Sequence, residues 1–325
     1  MPAYNVAPFL EDAARSALAQ TYPNLELLVI DDGSVDGTAA IADRIQRGDP
    51  ARVRVIRRAN GGLAAARNTG LNAARGQFFA LLDSDDIWEP GFLEHQMATF
   101  EFKPSIDLVT ANGRYLGGVR HGMLVRPCPD PRPPLTLAAI IADEEAVFVM
   151  TVFRRRVFEA IGGFDEALRT NEDFDYWLRA AVAGFQFARN PQPLAWYRRR
   201  DGSLSSDAPR MLRGALRVCV KSRALIGDRP ERALLERQIA YYEAELDAAI
   251  VREALASGDG PGAAQALASL NSRRPSIRTA LAAVVARRAG PLLSAAYRLK
   301  RRATLLQEPV RPVAMAGGPT EVTRE

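Results

Sequence analysis

Residues 77–90 read QFFALLDSDDIWEP, an apolar run that ends on Asp83, Ser84, Asp85 and Asp86. A short continuous apolar run bounded by polar turn residues is the pattern of a buried strand in a parallel sheet. In open α/β sheets, ligands bind just outside the carboxyl ends of the strands. Three carboxylates in four positions repel one another unless a cation or protons intervene. Hard oxygen ligands beside a phosphate suit Mg²⁺ or Mn²⁺. The same residues also suit a plain turn with a helix cap at Asp86, so the stretch constrains the fold before it constrains the chemistry.

The pattern occurs a second time upstream. Residues 25–30 form another apolar run, followed by Asp31-Asp32-Gly33-Ser34. A third strand is expected at 53–57, and Asn60-Gly61-Gly62 opens a helix that runs to about residue 74. Backbone N–H groups of a Gly-rich loop at a helix start can receive an anion. Strand and helix thus alternate from residue 25 to about residue 100, which predicts an α/β fold with a mostly parallel sheet flanked by helices. Residues 104–136 lose the alternation and hold six prolines, as a functional lid or acceptor surface does. Strand fragments are expected at 107–111 and near 115–125, a helix near 135–142 and a strand near 146–152. A helix ending at Gly162-Gly163 is followed by one with Phe174, Trp177, Leu178 and Ala181 on its apolar face. Glu172 and Asp173 stand at the start of that second helix, where the dipole favours carboxylates. Strands near 186–189 and 193–198 close the region.

From about residue 208 the pattern is all-helical, and Gly290-Pro291 breaks it before a last helix. The charge changes at the same place. Residues 1–205 carry a net charge of −3 and residues 206–325 a net charge of +8. The basic half shows no zinc-finger, RNP or helix-turn-helix pattern, so nucleic acid is not the expected partner. Cys128 and Cys219 are the only cysteines and have no metal-ligand spacing, which predicts a reducing, cytoplasmic setting. No apolar run reaches membrane-spanning length.

Several constellations stand in one order: Pro2-Ala3-Tyr4-Asn5, Asp31-Asp32-Gly33-Ser34, Asn60-Gly61-Gly62 with Ala66-Arg67-Asn68, Asp83-Ser84-Asp85-Asp86 with Trp88 and Pro90, Gly162-Gly163-Phe164-Asp165, and Glu172-Asp173. In this order they closely resemble the family 2 glycosyltransferases, and the resemblance covers roughly residues 1–205. It implies the GT-A fold for that part; the helical pattern after it predicts an all-α extension at 206–308, and the Pro/Gly-rich end a disordered tail at 309–325. The resemblance also implies an inverting transfer from a UDP-sugar, with Mn²⁺ or Mg²⁺, to a glycan or lipid-linked acceptor in polysaccharide or cell-envelope synthesis. In the same resemblance Asp32 accepts the N–H of the nucleotide base. Pro2, Ala3, Tyr4, Gly62, Arg67, Asp83 and Ser84 contact the nucleotide sugar. Asp85, with Asp83, holds the metal. Asp173 is the catalytic base and Glu172 orients it or the acceptor. Arg67 suits a contact to the nucleotide, support of Asp83, or an ion pair within the fold, and Trp177 reads as core.

Two departures bear on these expectations. Relatives carry an apolar strand just ahead of the Pro-Ala-Tyr-Asn stretch, and here Met1 takes its last position. The first strand is therefore expected to be missing, leaving strand edges open. Many relatives also have His where Arg200 stands, and an arginine pairs with a diphosphate but cannot ligate a cation. Both departures favour an alternative, a catalytically inactive nucleotide-sugar-binding module. A nucleotidyltransferase would need a Gly-rich loop with Arg and Lys after the first strand, and none is present. The last helix, with Leu292, Ala296, Leu299 and Ala303 on one stripe, Leu293 and Tyr297 beside it, and Arg298, Lys300, Arg301 and Arg302 around them, suits peripheral contact with an anionic inner membrane face.

Overall fold

The computed structural model describes residues 1–130, 132, 134–199 and 207–307. Arg200, the boundary expected at 205/206 and the tail expected at 309–325 lie outside the described residues. The chain divides into two compact units, Met1–Glu243 and Ala244–Glu325.

The first unit begins with β1 (Pro2–Ala3), α1 (Leu10–Leu18), β2 (Leu27–Asp31), α2 (Thr38–Gly48), β3 (Val53–Arg57) and α3 (Leu63–Ala73). β1, β2 and β3 form a parallel three-stranded sheet in that order. Every residue of β2 is buried, Asp31 included, as a strand covered on both faces requires. Next come β4 (Phe78–Ala80), β5 (Ile87–Trp88), α4 (Phe92–Phe102), β6 (Leu108–Leu116), α5 (Leu137–Ala142), β7 (Thr151–Arg154), α6 (Arg155–Ile161), α7 (Glu172–Val182) and β8 (Phe187–Arg198). They build a second sheet of order β4-β7-β6-β8-β5. Here β6 and β8 run parallel and the other pairs antiparallel. The two strand segments expected at 186–198 are a single strand, β8, whose register against β6 shifts around Asn112. At the irregularity the Asn112 Nδ2 donates to the carbonyls of Arg126 and Pro191.

α8 (Ala208–Ile226) and the first half of α9 (Arg232–Ser257) also belong to the first unit. Ala215, Val218, Cys219, Leu235, Ile239 and Tyr242 share one apolar cluster with Phe174 and Trp177 of α7. Trp177 is fully buried, as expected of a core residue. The second unit holds the rest of α9, α10 (Gly260–Arg273) and α11 (Ile277–Gln307). Its core is small and alanine-rich, with Ala263, Ala264, Leu267, Ala283 and Ala286 at its centre. α11 kinks at Ala289, two residues before Pro291, where the proline ring and its missing N–H interrupt the helix. Leu293 and Tyr297 pack inward against this core, whereas Leu299 is 68% exposed.

A cavity of about 620 Å³ lies between the two sheets, lined by Met1, Leu28 and Ile30 on one side and Phe79 and Leu81 on the other. The chain pairs with β2 from its first residue. The Met1 ammonium donates to the Leu28 carbonyl at 3.0 Å, and Ile30 N–H donates to the Met1 carbonyl at 2.9 Å. Burial pushes this amine down to about 5. An extended segment placed here would fill apolar space and continue the ladder along β2. Joining a five-residue Val/Ile segment ahead of Met1 is expected to raise the melting temperature by roughly 5 °C. A Gly/Ser segment of the same length should not. Equal melting of the two extended chains would show that the cavity does not accept a strand.

Candidate active site

Two loops meet at the carboxyl ends of β1 and β2. Ala3 is buried, and its carbonyl accepts the Asp32 N–H at 2.9 Å. Asn5 N–H donates to Ser34 Oγ, and Val35 N–H donates to Asn5 Oδ1. Asn5 takes a left-handed φ of 51° to do so, a conformation that asparagine tolerates. Tyr4 stands at this rim, 49% exposed.

Asp32 is 3% exposed. Its carboxylate accepts the N–H groups of Gly61 (3.1 Å) and Gly62 (2.8 Å) and pairs with Arg58 at 3.1 Å. The Gly-rich loop therefore presents its N–H groups to Asp32, an anion supplied by the chain itself. Gly62 has φ +92°, and a Cβ there would press on Arg169 Nη1. That guanidinium in turn donates to the Gly61 carbonyl.

At the end of β4 the four residues 83–86 diverge. Asp83 is a quarter exposed and accepts from Arg67 Nη2 at 2.9 Å. Ser84 is buried and Asp85 half-buried. Asp85 offers its carbonyl to Arg198 Nε at 2.7 Å. Asp86 does not cap the following helix, whose N-cap is Gly91 with no side-chain bond. Instead its Oδ1 accepts the Arg198 N–H at 2.7 Å, which ties the β4 loop to β8. Its Oδ2 is buried without a partner. Burial, and then the charges of Asp83 and Asp85, hold its pKa well above the carboxylate range.

Arg67 joins this loop to α7. Its side chain is 2% exposed, and Nη1 donates to Glu172 Oε1 at 2.5 Å while Nη2 holds Asp83. Burial opposes its charge, yet the carboxylates of Asp83, Glu172 and Asp173 raise its pKa. Burial pushes Glu172 up to about 7, with Arg67 opposing and Asp173 adding to the rise. Asp173 is also raised, by burial first, and its Oδ1 accepts the Phe174 N–H at 2.9 Å. Of the three roles open to Arg67, the structure shows support of Asp83 and an ion pair within the fold. The neighbouring Asn68 exchanges hydrogen bonds with the Phe164 backbone (2.9 and 2.7 Å), which accounts for the Gly-Gly-Phe stretch.

Several contributors have no signal in the sequence. Asn171, with φ 59°, precedes Glu172, and its Nδ2 donates to Glu144 at 3.3 Å. Glu144 is pushed up to about 7 by burial, by Glu145 and by Asp173, while a hydrogen bond from Tyr242 works the other way. Gly214 of α8 presses on the same corner, where a Cβ would collide with Thr170 Oγ1 and Asn171 Oδ1. These partners come from three separate segments, so no local pattern marks them.

Asp83 and Asp85 are hard oxygen donors two positions apart after β4, a donor set whose chemistry suits a hard divalent cation. Among the described residues no cluster of three His, Cys, Asp or Glu side chains could hold a metal by itself. Mg²⁺-type sites commonly use one or two carboxylates and complete the shell with substrate phosphates and water, and the pair fits that arrangement.

Replacing Arg67 by Met should destabilise the first unit by about 3 kcal/mol or more, because two acids lose their buried partner. Glu172 titrates above its ordinary value, so its charge costs stability as pH rises through that range and the cost is relieved below it. Urea unfolding should therefore show a larger loss at about pH 8 than at about pH 5.5. A pH-independent loss would mean that packing, not charge, is what Arg67 supplies.

Residues 1–162 match the family described as Glycosyl transferase family 2. The succinoglycan biosynthesis protein ExoO of Rhizobium meliloti (strain 1021) is 35% identical over 218 residues, covering 62% of this chain and 60% of that protein. Across the first curated relatives the chain spans about half their length or less, 56% of one and 30% of another. Among solved structures, S. aureus TarS 1–349 in complex with UDP-GlcNAc superposes with a TM-score of 0.62 at 20% identity, covering 95% of this chain and 91% of that one. Mannosyltransferase PcManGT from Pyrobaculum calidifontis, in complex with GDP-Man and Mn²⁺, gives 0.60 at 20% identity, with 95% and 86% covered. At that identity the likeness shows the fold, which is the GT-A fold.

Proposed function

Residues 1–162 belong to glycosyl transferase family 2, and from that premise we propose that the chain is an inverting enzyme that moves a sugar from a UDP-sugar to an acceptor hydroxyl. The observation that carries this reading is the Arg67 bridge, which ties Asp83 at the donor-side loop to the Glu172-Asp173 pair on α7. Asp173 takes the proton of the acceptor hydroxyl. The oxygen then attacks the anomeric carbon from the face opposite the diphosphate, so the configuration inverts. A base of raised pKa suits proton removal near neutral pH. Glu172 orients the pair through Arg67. Asp32 receives the base N–H of the nucleotide by displacing Arg58, its more exposed partner. Pro2, Ala3 and Tyr4 flank that site, and Gly62 shapes it by closing the loop on Asp32. Ser84 completes the donor side, and Arg200, outside the described residues, is the arginine for a contact to the diphosphate. Asp85 and Asp83 are the residues for Mn²⁺ or Mg²⁺, which neutralises charge on the leaving diphosphate when bound.

UDP-GlcNAc in the TarS complex and the succinoglycan role in the ExoO name support a UDP-sugar donor and a glycan or lipid-linked acceptor in cell-surface polysaccharide synthesis. Asp173→Asn should lower transfer by about 10³-fold while UDP affinity stays within about twofold. Asp85→Ala should abolish the gain in UDP affinity that Mn²⁺ provides in calorimetry. Near-normal turnover of Asp173→Asn would remove that residue from the mechanism. UDP binding without sugar transfer by the wild type would favour the inactive binding module.

The second unit supports a peripheral membrane contact, both by the expected stripe, of which Ala296 and Leu299 are exposed, and by an apolar stretch ahead of it. Leu293 and Tyr297 are packed inward, and the side chains of Leu292, Lys300, Arg301, Arg302 and Ala303 lie outside those described. Ahead of that stripe, α11 also exposes Ile277, Leu281, Val284 and Val285. Arg278, Arg287 and Arg288 are exposed on the same stretch. Among the described residues no helix is long and apolar enough to cross a membrane. An exposed apolar stripe edged by arginines suits the surface of an anionic bilayer. Wild type should sediment with anionic but not neutral vesicles, and less so in high salt. Leu281→Asp with Val284→Asp should abolish sedimentation. Unchanged sedimentation of that variant would exclude this face.

A further inference from the structure

Asp173 is the second residue of α7, and the helix starts from an unusual backbone. Asn171, its N-cap, has φ 59° and ψ 25° and is 7% exposed. Its carbonyl accepts the Asp175 N–H at 3.2 Å, which closes the first turn. A left-handed residue other than glycine persists where its surroundings hold it. Here the side chain is held. Asn171 Nδ2 donates to Glu144 Oε2 at 3.3 Å, while Oδ1 is buried without a partner. Gly214 of α8 closes the space beside Oδ1, where a Cβ would collide with it. Glu144 thus supplies the hydrogen bond that anchors this residue.

Glu144 is itself fixed on both sides. It is half-buried on the turn after α5. In that turn Asp143 accepts the Glu145 N–H at 3.0 Å through Oδ1 and the Ala146 N–H at 2.9 Å through its carbonyl. Asp143 Oδ2 pairs with Arg132 at 3.3 Å. From the other side Tyr242 of α9, 3% exposed, donates its hydroxyl to Glu144 and accepts from Gln238, one helical turn earlier. One path of hydrogen bonds therefore runs from α9 through Glu144 and Asn171 to the first turn of α7.

The same carboxyl group lies within electrostatic reach of the candidate base. The titratable groups that face Glu144 are Asp143 and Glu145 on its own turn, Asp173 on α7, Tyr242 on α9 and Cys219 on α8. Asp173 faces Arg67 and Asp83 as well. Burial and the neighbouring acids push Glu144 up to about 7. A base that must meet a hydroxyl within hydrogen-bond reach is sensitive to its placement, and a shift of about 1 Å can cost on the order of 10²-fold in rate.

We propose that Glu144 is a positioning residue for Asp173: through Asn171 it fixes the first turn of α7, and through Tyr242 it ties that turn to α9. The proposal rests on reading Asp173 as the base.

The test reads Asp173 directly. The full chain is labelled with ¹³C at the aspartate carboxyl carbons, and the signal lost in Asp173→Asn identifies the residue. Glu144→Ala should shift or split that signal. Glu144→Gln keeps an oxygen that can accept from both Asn171 and Tyr242, and should restore a single signal. Tyr242→Phe should move the signal in the same direction as Glu144→Ala, by less, and decides the matter should Glu144→Ala fail to fold. A side chain that only stabilised the fold would lower the melting temperature and leave the Asp173 signal of the folded protein in place. An unmoved signal in both Glu144→Ala and Tyr242→Phe, or in Tyr242→Phe where it alone folds, overturns the proposal. Release of UDP from UDP-GlcNAc gives a second readout. There Glu144→Ala should lower kcat by about tenfold or more with KM within about twofold, and Glu144→Gln should recover most of the loss. Wild-type kcat in Glu144→Ala overturns the proposal too. Failure of the base reading looks different, because Asp173→Asn then releases UDP at a near-normal rate. Absence of UDP release by the wild type would overturn the enzyme reading, and the Asp173 signal would still decide whether Glu144 positions that residue.

Discussion

Arg67 is the charge on which the candidate site depends. It projects from α3 into a space where its side chain is 2% exposed and holds Asp83 with one nitrogen and Glu172 with another. Neither acid is close to it in sequence, so the guanidinium fixes how the end of β4 and the start of α7 lie relative to each other. A buried charge is tolerated when it is paired and hydrogen-bonded. Here the pairing sets geometry as well as charge, because the fork of the guanidinium has fixed angles. Asn68, the next residue, grips the Phe164 backbone. Two adjacent side chains of one helix therefore anchor the strand-end loop and the approach to α7.

α7 is also braced from the side away from Arg67. α8 comes within a side chain's thickness of Thr170 and Asn171, and only glycine fits at 214. Tyr242 of α9 reaches Glu144, which in turn receives Asn171. Helices after residue 207 are thus part of the unit that holds the candidate base, and the first compact unit runs to Glu243. Glu144, Glu172 and Asp173 share a raised affinity for protons for one reason, burial beside like charges. Raised carboxylate pKa values concentrated around one helix start are a mark of functional sites.

Asp32 shows how a motif can keep its place while its contacts differ from the simplest reading. The Gly61-Gly62 loop suits an external anion by its composition, but the nearest carboxylate takes its N–H groups. The loop and the strand end are consequently one structural piece. Any nucleotide contact at Asp32 works through that piece and has to exchange with Arg58.

The amino-acid pattern alone determined the alternation of strand and helix to residue 100, the carboxylates at two strand ends, the glycines that open α3, and Glu172-Asp173 on the first turn of a helix. Each of these is a local signal, set by periodicity or by the chemistry of a turn, and it survives without knowing the path of the chain. The tertiary structure alone decided that the second sheet is mixed, since a buried strand has the same composition whichever way its neighbour runs. It also decided which acids Arg67 joins, that Asp86 binds β8 and caps no helix, that Gly214 must lack a side chain, and which face of α11 stays apolar and exposed. Those outcomes depend on residues up to about a hundred positions apart meeting in space. Burial then sets the strength of each charge, and neither the meeting nor the burial is written in any single stretch of sequence.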